Sequence, residues 1–254
     1  MTWRRKRQLM YIAGIVGFFL LIGLFFYWWY KPRPNCFDGI QNQGELGVDC
    51  GGPCERVCSH EVKPLQVNWA RAFEIRPGVF HLVAEGENLN RNFMVPEVDY
   101  RFLVYDNEGQ RQEFTGRSFV NPSENFIIME TNVSLDIEPD QVLFEFVAHD
   151  KIDWQRDVEP LDVLRVRQGD FEVGVPTRLE ATLVNKSLRE IYEVEVVVLL
   201  LDADNNVYMA SSTLVPGVGA MSDRNIVFTW PQEIKSNPVF VNFYPRVNRM
   251  ELKR

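Results

Sequence analysis

The sequence predicts an all-β outer part, built as tandem immunoglobulin-like antiparallel β-sandwiches, behind one N-terminal transmembrane helix. Three observations predict it. Leu9 to Tyr30 is a run of 22 residues without a charge, LMYIAGIVGFFLLIGLFFYWWY. From His60 to Arg254 apolar and polar residues alternate in runs closed by turn residues, with no convincing amphipathic helix. The pattern of that region then returns 96 residues later. Composition agrees with a folded chain: 46% of 254 residues are hydrophobic and 24% charged, which excludes disorder and collagen-like repeats. The net charge of −8 argues against nucleic acid as a partner, since that needs a basic face.

As a helix the apolar run is roughly 33 Å long, enough for a hydrocarbon core of about 30 Å. Arg4, Arg5, Lys6 and Arg7 precede it, whereas Lys31 and Arg33 are followed by Asp38, Glu45 and Asp49. The positive-inside rule therefore places residues 1–8 in the cytoplasm as a short tip, 9–30 in the membrane, and the rest outside. Tyr27, Trp28, Trp29 and Tyr30 form an aromatic belt at the outer interface, and Trp3 and Tyr11 lie near the inner one. A cleaved signal peptide has a shorter apolar region ending in small residues. This run ends in bulky aromatics, so an uncleaved signal anchor is expected. Cys36 follows Arg33-Pro34-Asn35, which is not a lipoprotein cleavage box. Ala13 and Gly17 offer one place where two such helices would pack closely as a dimer. Residues 31–254 carry −12, so this part should adhere neither to anionic lipid nor to nucleic acid.

All four cysteines, Cys36, Cys50, Cys54 and Cys58, lie in the linker 31–60. Outside the cytoplasm an even number in a loop-rich stretch reads as two disulfides, and spacing does not choose among the three connectivities. A four-thiolate zinc site has a different spacing. Asp38, Asn42, Glu45 and Asp49 fall inside the Cys36–Cys50 loop, and such oxygens are what calcium requires. The spacing is not that of an EF-hand, and turn chemistry in a small disulfide knot explains the same residues. The segment also resembles a cysteine module, C-x-D-G-x-x-N-x-x-E-x-G-x-D-C-G-G-x-C, found in extracytoplasmic and surface proteins of microbes. The resemblance covers Cys36 to Cys58 and implies location rather than a biochemical role.

Val98, Tyr100, Phe102 and Val104 alternate with Asp99, Arg101, Leu103 and Tyr105 and end at the turn opened by Asp106. Val194, Val196, Val198 and Leu200 repeat the pattern and end at Asp202. Asn88 matches Asn185, and Phe144 and Phe146 match Val241 and Phe243. The expected units are 61–155 and 156–254, each a sandwich of seven or so strands, with His149 to Pro160 as the boundary. The sandwiches lack the core cysteine pair of antibody domains. Trp69, Trp154 and Trp230 are expected in core or interdomain packing. Phe102-Leu103-Val104-Tyr105-Asp106 resembles the F-x-L-Y-D signature of the FxLYD domain family, and Gly86 to Asn90 resembles that family's G-x-x-x-N strand end. The second copy keeps only the last leucine and the aspartate, Leu201 and Asp202. The resemblance implies an extracytoplasmic domain without assigned catalysis.

No G-x-S-x-G, H-E-x-x-H, P-loop or dinucleotide fingerprint occurs, and His60, His81 and His149 are scattered. Glu193 and Glu195 read as solvated surface. No enzyme, catalytic residue or bound cofactor is expected, apart from the calcium alternative. The expectation is a single-pass extracytoplasmic protein that acts through its β-domains on a protein partner as an interaction or structural module of the envelope. The alternatives are a subunit of a secretion, pilus or division assembly, and a calcium-binding surface adhesion protein. Truncating the inward Phe102 to alanine should cost about 3–5 kcal/mol in chemical denaturation, whereas Arg101→Ala should leave stability nearly unchanged. Equal effects would reverse the inside–outside assignment.

Overall fold

The computed structural model describes residues 3–30, 35–147, 152–157, 163–234 and 237–250. Two compact units are present, Met1–Cys54 and Glu55–Arg254. In the first, α1 (Trp3–Tyr30) is a single helix of 28 residues with no buried residue. It is long and apolar enough to cross a membrane. Its apolar residues surround the axis instead of forming a stripe, as expected of a helix whose surroundings are apolar on every side. The helix begins before the apolar run, so the basic cluster belongs to its first two turns, where the Arg7 guanidinium sits 4.1 Å from the Trp3 ring centre.

The second unit is almost entirely antiparallel β-structure. Its first half contains β1 (Gln66–Arg76), β2 (Val79–Glu87), β3 (Phe93–Tyr105), β4 (Arg111–Val120), β5 (Asn125–Ser134) and β6 (Gln141–Phe146). A two-residue strand, β7 (Gln155–Arg156), pairs with the start of β3. Its second half contains β8 (Leu164–Glu172), β9 (Thr177–Asn185), β10 (Ile191–Leu201), β11 (Val207–Val218), β12 (Asp223–Trp230) and β13 (Phe240–Arg246). The sheets run β1-β2-β5 and β4-β3-β6, then β12-β9-β8 and β11-β10-β13. The two halves share one strand order, and β7 adds a fourth strand to the β4-β3-β6 sheet, so among the described residues the first half has seven strands and the second six. Of the expected boundary at His149 to Pro160, residues 149–151 and 158–160 lie outside the described residues.

The internal repeat extends to individual hydrogen bonds. Asp106 Oδ1 accepts from Glu108 N at 2.9 Å and Gln110 N at 2.8 Å. Asp202 Oδ1 accepts from Asp204 N and Asn206 N at the same distances. Both turns need a left-handed residue, supplied by Gly109 at φ 82° and by Asn205 at φ 62°. Asn88 and Asn185 are buried and act alike. Asn88 Nδ2 donates to Phe93 O and Asn121 O, and its Oδ1 accepts from Asn90 N. Asn185 Nδ2 donates to Arg189 O, Val218 O and Gly219 O, and its Oδ1 accepts from Ser187 N. The match at the last strand shifts by two residues. Phe102 pairs with Phe144 and Val198 with Phe243, so Phe144 corresponds to Phe243 and not to Val241. The longer connection from β12 to β13 produces the offset.

Val98, Tyr100, Phe102 and Val104 are buried in the first core, with Trp154 beside them. Val194, Val196, Val198 and Leu200 are fully buried in the second, with Trp230, whose Nε1 donates to Ala210 O at 3.0 Å. Alternation fails on the reverse faces. Val197, Leu199 and Leu201 of β10 are buried as well, and so are Phe73, Ile75, Val83, Ile127 and Met129 on the outward face of β1-β2-β5. These five belong to the hydrophobic cluster of the second sandwich, and Trp69 packs at its edge. At about 1.5–3 kcal/mol for each buried side chain, this contact contributes on the order of 10 kcal/mol. That is a fixed junction, not a hinge.

Polar groups complete the junction. Arg246, 2% exposed, donates from Nε to Glu124 Oε1 at 2.8 Å and from Nη1 to Ile127 O at 2.9 Å. Its Nη2 donates to Phe119 O, and its guanidinium carbon lies 4.6 Å from the Phe119 ring centre. Glu195 Oε2 lies 3.7 Å from Nη1. The reading of Glu195 as solvated surface is therefore corrected: burial pushes its carboxyl above the ordinary range, and Arg246 draws it back down. Next along the chain, Asn248 Nδ2 donates to Pro96 O, and Arg249 Nε lies 2.8 Å from Asp157 Oδ2. Arg246→Ala leaves Glu124 facing a dry junction without its counter-ion. The variant should lose about 3–5 kcal/mol in urea denaturation, and adding Glu124→Gln should recover part of the loss.

Candidate functional site

Residues 36–54 of the cysteine segment form a compact knot within the first unit. Cys36 and Cys54 are joined, Cys50 and Cys58 are also disulfide-bonded, and no cysteine is free. In the chain-entropy model a crosslink spanning 18 residues contributes about 3 kcal/mol. The sulfurs of Cys36 and Cys54 lie with a Glu45 oxygen inside 4.8 Å, but a disulfide offers no thiolate to a metal. Gly52 has φ +57°, and a Cβ there would stand 2.2 Å from Gly44 O, so only glycine closes the knot.

The four oxygen-bearing side chains serve this loop. Asp38 accepts from Ile40 N and from Asn42 Nδ2, both at 2.9 Å. The Asn42 amide, helped by the N–H groups of Asn35 and Ile40, holds the Asp38 carboxyl below its ordinary range. Both Asp49 oxygens accept from Gly39 N at 3.0 Å. Glu45, 6% exposed, takes the N–H groups of Asn42 and Asp49 on Oε2. The knot's own donors account for the orientation of all three carboxylates, without a cation.

A second place draws polar groups together, where the edges of the two sandwiches meet within Glu55–Arg254. A cleft of about 260 Å³ lies there, with His81, Thr131 and Asn132 on one wall and Ser211, Ser212 and Thr229 on the other. Ile75 and Pro231 supply its apolar surface. A β-bulge shapes the first wall. Phe80 pairs with Val133 and Leu82 with Glu130, so Thr131 and Asn132 together oppose His81. The extra residue is absorbed at Asn132, which takes the left-handed φ of 55°. Its N–H turns inward and donates to His81 Nδ1 at 3.2 Å.

That bond decides the chemistry of His81. The imidazole is 7% exposed, and burial pushes its pKa down to about 4. It is therefore neutral at pH 7. With Nδ1 accepting, the single proton resides on Nε2. A general base for a serine needs the opposite tautomer, oriented by a carboxylate on Nδ1. Among the described residues no hydrogen bond joins His81 to Ser211 or Ser212. The cleft presents donors and acceptors and no activated nucleophile. Tyr100, the other buried phenol or imidazole with a strong shift, donates its hydroxyl to Glu130 at 2.8 Å, and burial keeps it protonated. In the sequence His81 is one of three scattered histidines, and no pattern there marks the cleft. Its signals are a bulge and an interdomain contact, and neither is periodic. His60 is exposed, and His149 lies outside the described residues.

No family model matches the chain, and no curated protein matches it. Among solved structures it is similar to a red sea bream transglutaminase, 12% identical, over 72% of this chain and 29% of that one, with a TM-score of 0.19. The chain thus spans less than a third of that protein's length, and a likeness of this size carries no argument about fold or activity.

The His81 environment has a consequence for stability. The folded state holds this imidazole neutral down to about pH 4, whereas the unfolded chain protonates it near 6.5. Between those values the unfolded state binds more protons, so this contribution is full above 6.5 and is lost as pH falls toward 4. In His81→Gln the decline of denaturation free energy from pH 7 to pH 5 should be shallower than in the parent. An unchanged slope would place the proton uptake elsewhere.

Proposed function

We propose that the chain is a single-pass, membrane-anchored protein whose β-rich part lies outside the cytoplasm and serves the cell envelope as a non-catalytic interaction and structural module. The observation that carries this reading is α1. It is apolar on every side over more than five turns and basic at its N-terminal end, and none of its residues is buried. A helix of this kind suits a lipid bilayer, and the positive-inside rule supports a cytoplasmic N-terminus. The four oxidised cysteines that follow support an oxidising compartment for the remainder.

The β-rich part supports a binding role. Both cores are filled, and the junction between the sandwiches is locked by apolar packing and by Arg246, which suits a stiff carrier of surfaces. The resemblances to the FxLYD family and to the microbial cysteine module agree with the same location. The partner in this reading is a protein docked on the sandwiches.

An impermeant protease applied to intact cells or spheroplasts should remove the β-rich part and leave a fragment near the size of α1 in the membrane. Protection of the β-rich part until lysis would reverse the topology. Affinity capture from solubilised membranes then separates the remaining alternatives. A fixed-stoichiometry complex marks a subunit of a secretion, pilus or division assembly, and partners lost on mutating sandwich loops mark an independent binding module.

A further inference from the structure

We infer that the cleft between the two sandwiches is a binding site for one neutral polyhydroxyl ring, a hexopyranose unit held through its hydroxyl groups. The inference goes beyond the anchored-module reading and holds on either side of the membrane. The first observation is a pair of unpartnered groups. Ser211 is 6% exposed and His81 7% exposed, yet among the described residues neither the Ser211 hydroxyl nor His81 Nε2 has a hydrogen-bond partner. Neither atom belongs to the buried orphan groups, so both face the cleft they line. Both atoms are open to the cleft and unpaired within the described protein, so whatever fills the cleft, water or a ligand, completes their hydrogen bonding.

The second observation is chemical. Among the described residues no lining side chain is charged. A carboxylate, phosphate or ammonium entering the cleft would lose water and find no counter-ion. Hydroxyl groups of Thr131, Ser211, Ser212 and Thr229 both donate and accept, Asn132 carries an amide, and His81 offers Nε2–H. This mixture matches the hydroxyls of a sugar, each of which also donates and accepts. Ile75 and Pro231 give the C–H face of a ring a surface to lie on. Size sets the limit: about 260 Å³ is below the usual range of drug-sized pockets, which admits one ring and not an oligosaccharide.

The third observation is the shape of the wall. At the bulge Asn132 takes the left-handed conformation that asparagine tolerates, and this turns its N–H onto His81. That bond fixes the imidazole with its donor toward the cleft.

The test uses the full chain in a sugar-free detergent, with saturation-transfer NMR titrations of glucose, galactose, mannose and N-acetylglucosamine, and of glucuronate and glucosamine as charged counterparts. At least one neutral sugar should bind in the millimolar range, at least tenfold tighter than its charged counterparts. Ser211→Ala should weaken that sugar about fivefold to tenfold, the worth of one hydrogen bond, with unchanged thermal unfolding. Ser212→Ala should weaken it too, which guards against a folding defect peculiar to position 211. Methyl glycosides and disaccharides separate the sources. Retained affinity means the end unit of a glycan, and loss means a free sugar. Absence of saturable binding by every neutral sugar, tighter binding of a charged one, or indifference to both serine variants would overturn the inference.

Discussion

The buried guanidinium of Arg246 holds the two sandwiches of this chain in register. Arg246 sits where β13 of the second repeat meets β5 and the β4–β5 connection of the first, and it answers two carboxylates and two backbone carbonyls. A charge at 2% exposure is tolerated only where its donors are met. That requirement fixes Glu124, the carbonyls of Phe119 and Ile127, and Glu195 about one point. The apolar faces on either side then have one relative position in which they close. Hydrophobic contact supplies most of the attraction, and the arginine supplies its specificity.

The junction also explains why the two repeats have diverged. Each keeps its turn aspartate and its buried asparagine, because those serve the local chain. The outward faces have different duties. β10 became Val194-Glu-Val-Val-Val-Leu-Leu-Leu201, apolar on both sides, because one side faces its own core and the other the first sandwich. β3 keeps charged Arg101 on its outer side, where it reaches the exposed Glu113 and Glu145. The cleft opens where the locked faces stop matching, at the bulge opposite His81.

Much of the architecture was legible. A charge-free run of 22 residues marked the long apolar helix, and alternation closed by aspartate turns located the central strands. Asn88 and Asn185 were matched by spacing, and the structure shows why: their side chains replace backbone partners at the same corner. The unreadable parts share a cause. Glu195 lies in a polar phase of its strand, and only the approach of another sheet leaves its side chain half-buried beside Arg246. Arg246 looks like any arginine at a strand end. Ser211 and Thr229 become neighbours through the packing of two separate sheets, which local pattern does not encode. Disulfide pairing was likewise open until Cys36 and Cys54 were placed together.

The double-sided burial of β1-β2-β5 has a bearing on how the protein is made. While a chain emerges, the first sandwich is complete before the strands that cover its outer face exist. Phe73, Ile75, Val83, Ile127 and Met129 then present an apolar sheet surface to the surroundings until β10, β11 and β13 arrive. Exposed sheet surface of this kind is what drives aggregation of partly folded intermediates. Biogenesis of this protein therefore contains a vulnerable interval, whose length is set by the time needed to deliver the second repeat, and a chaperone that shields sheet faces would act in that interval.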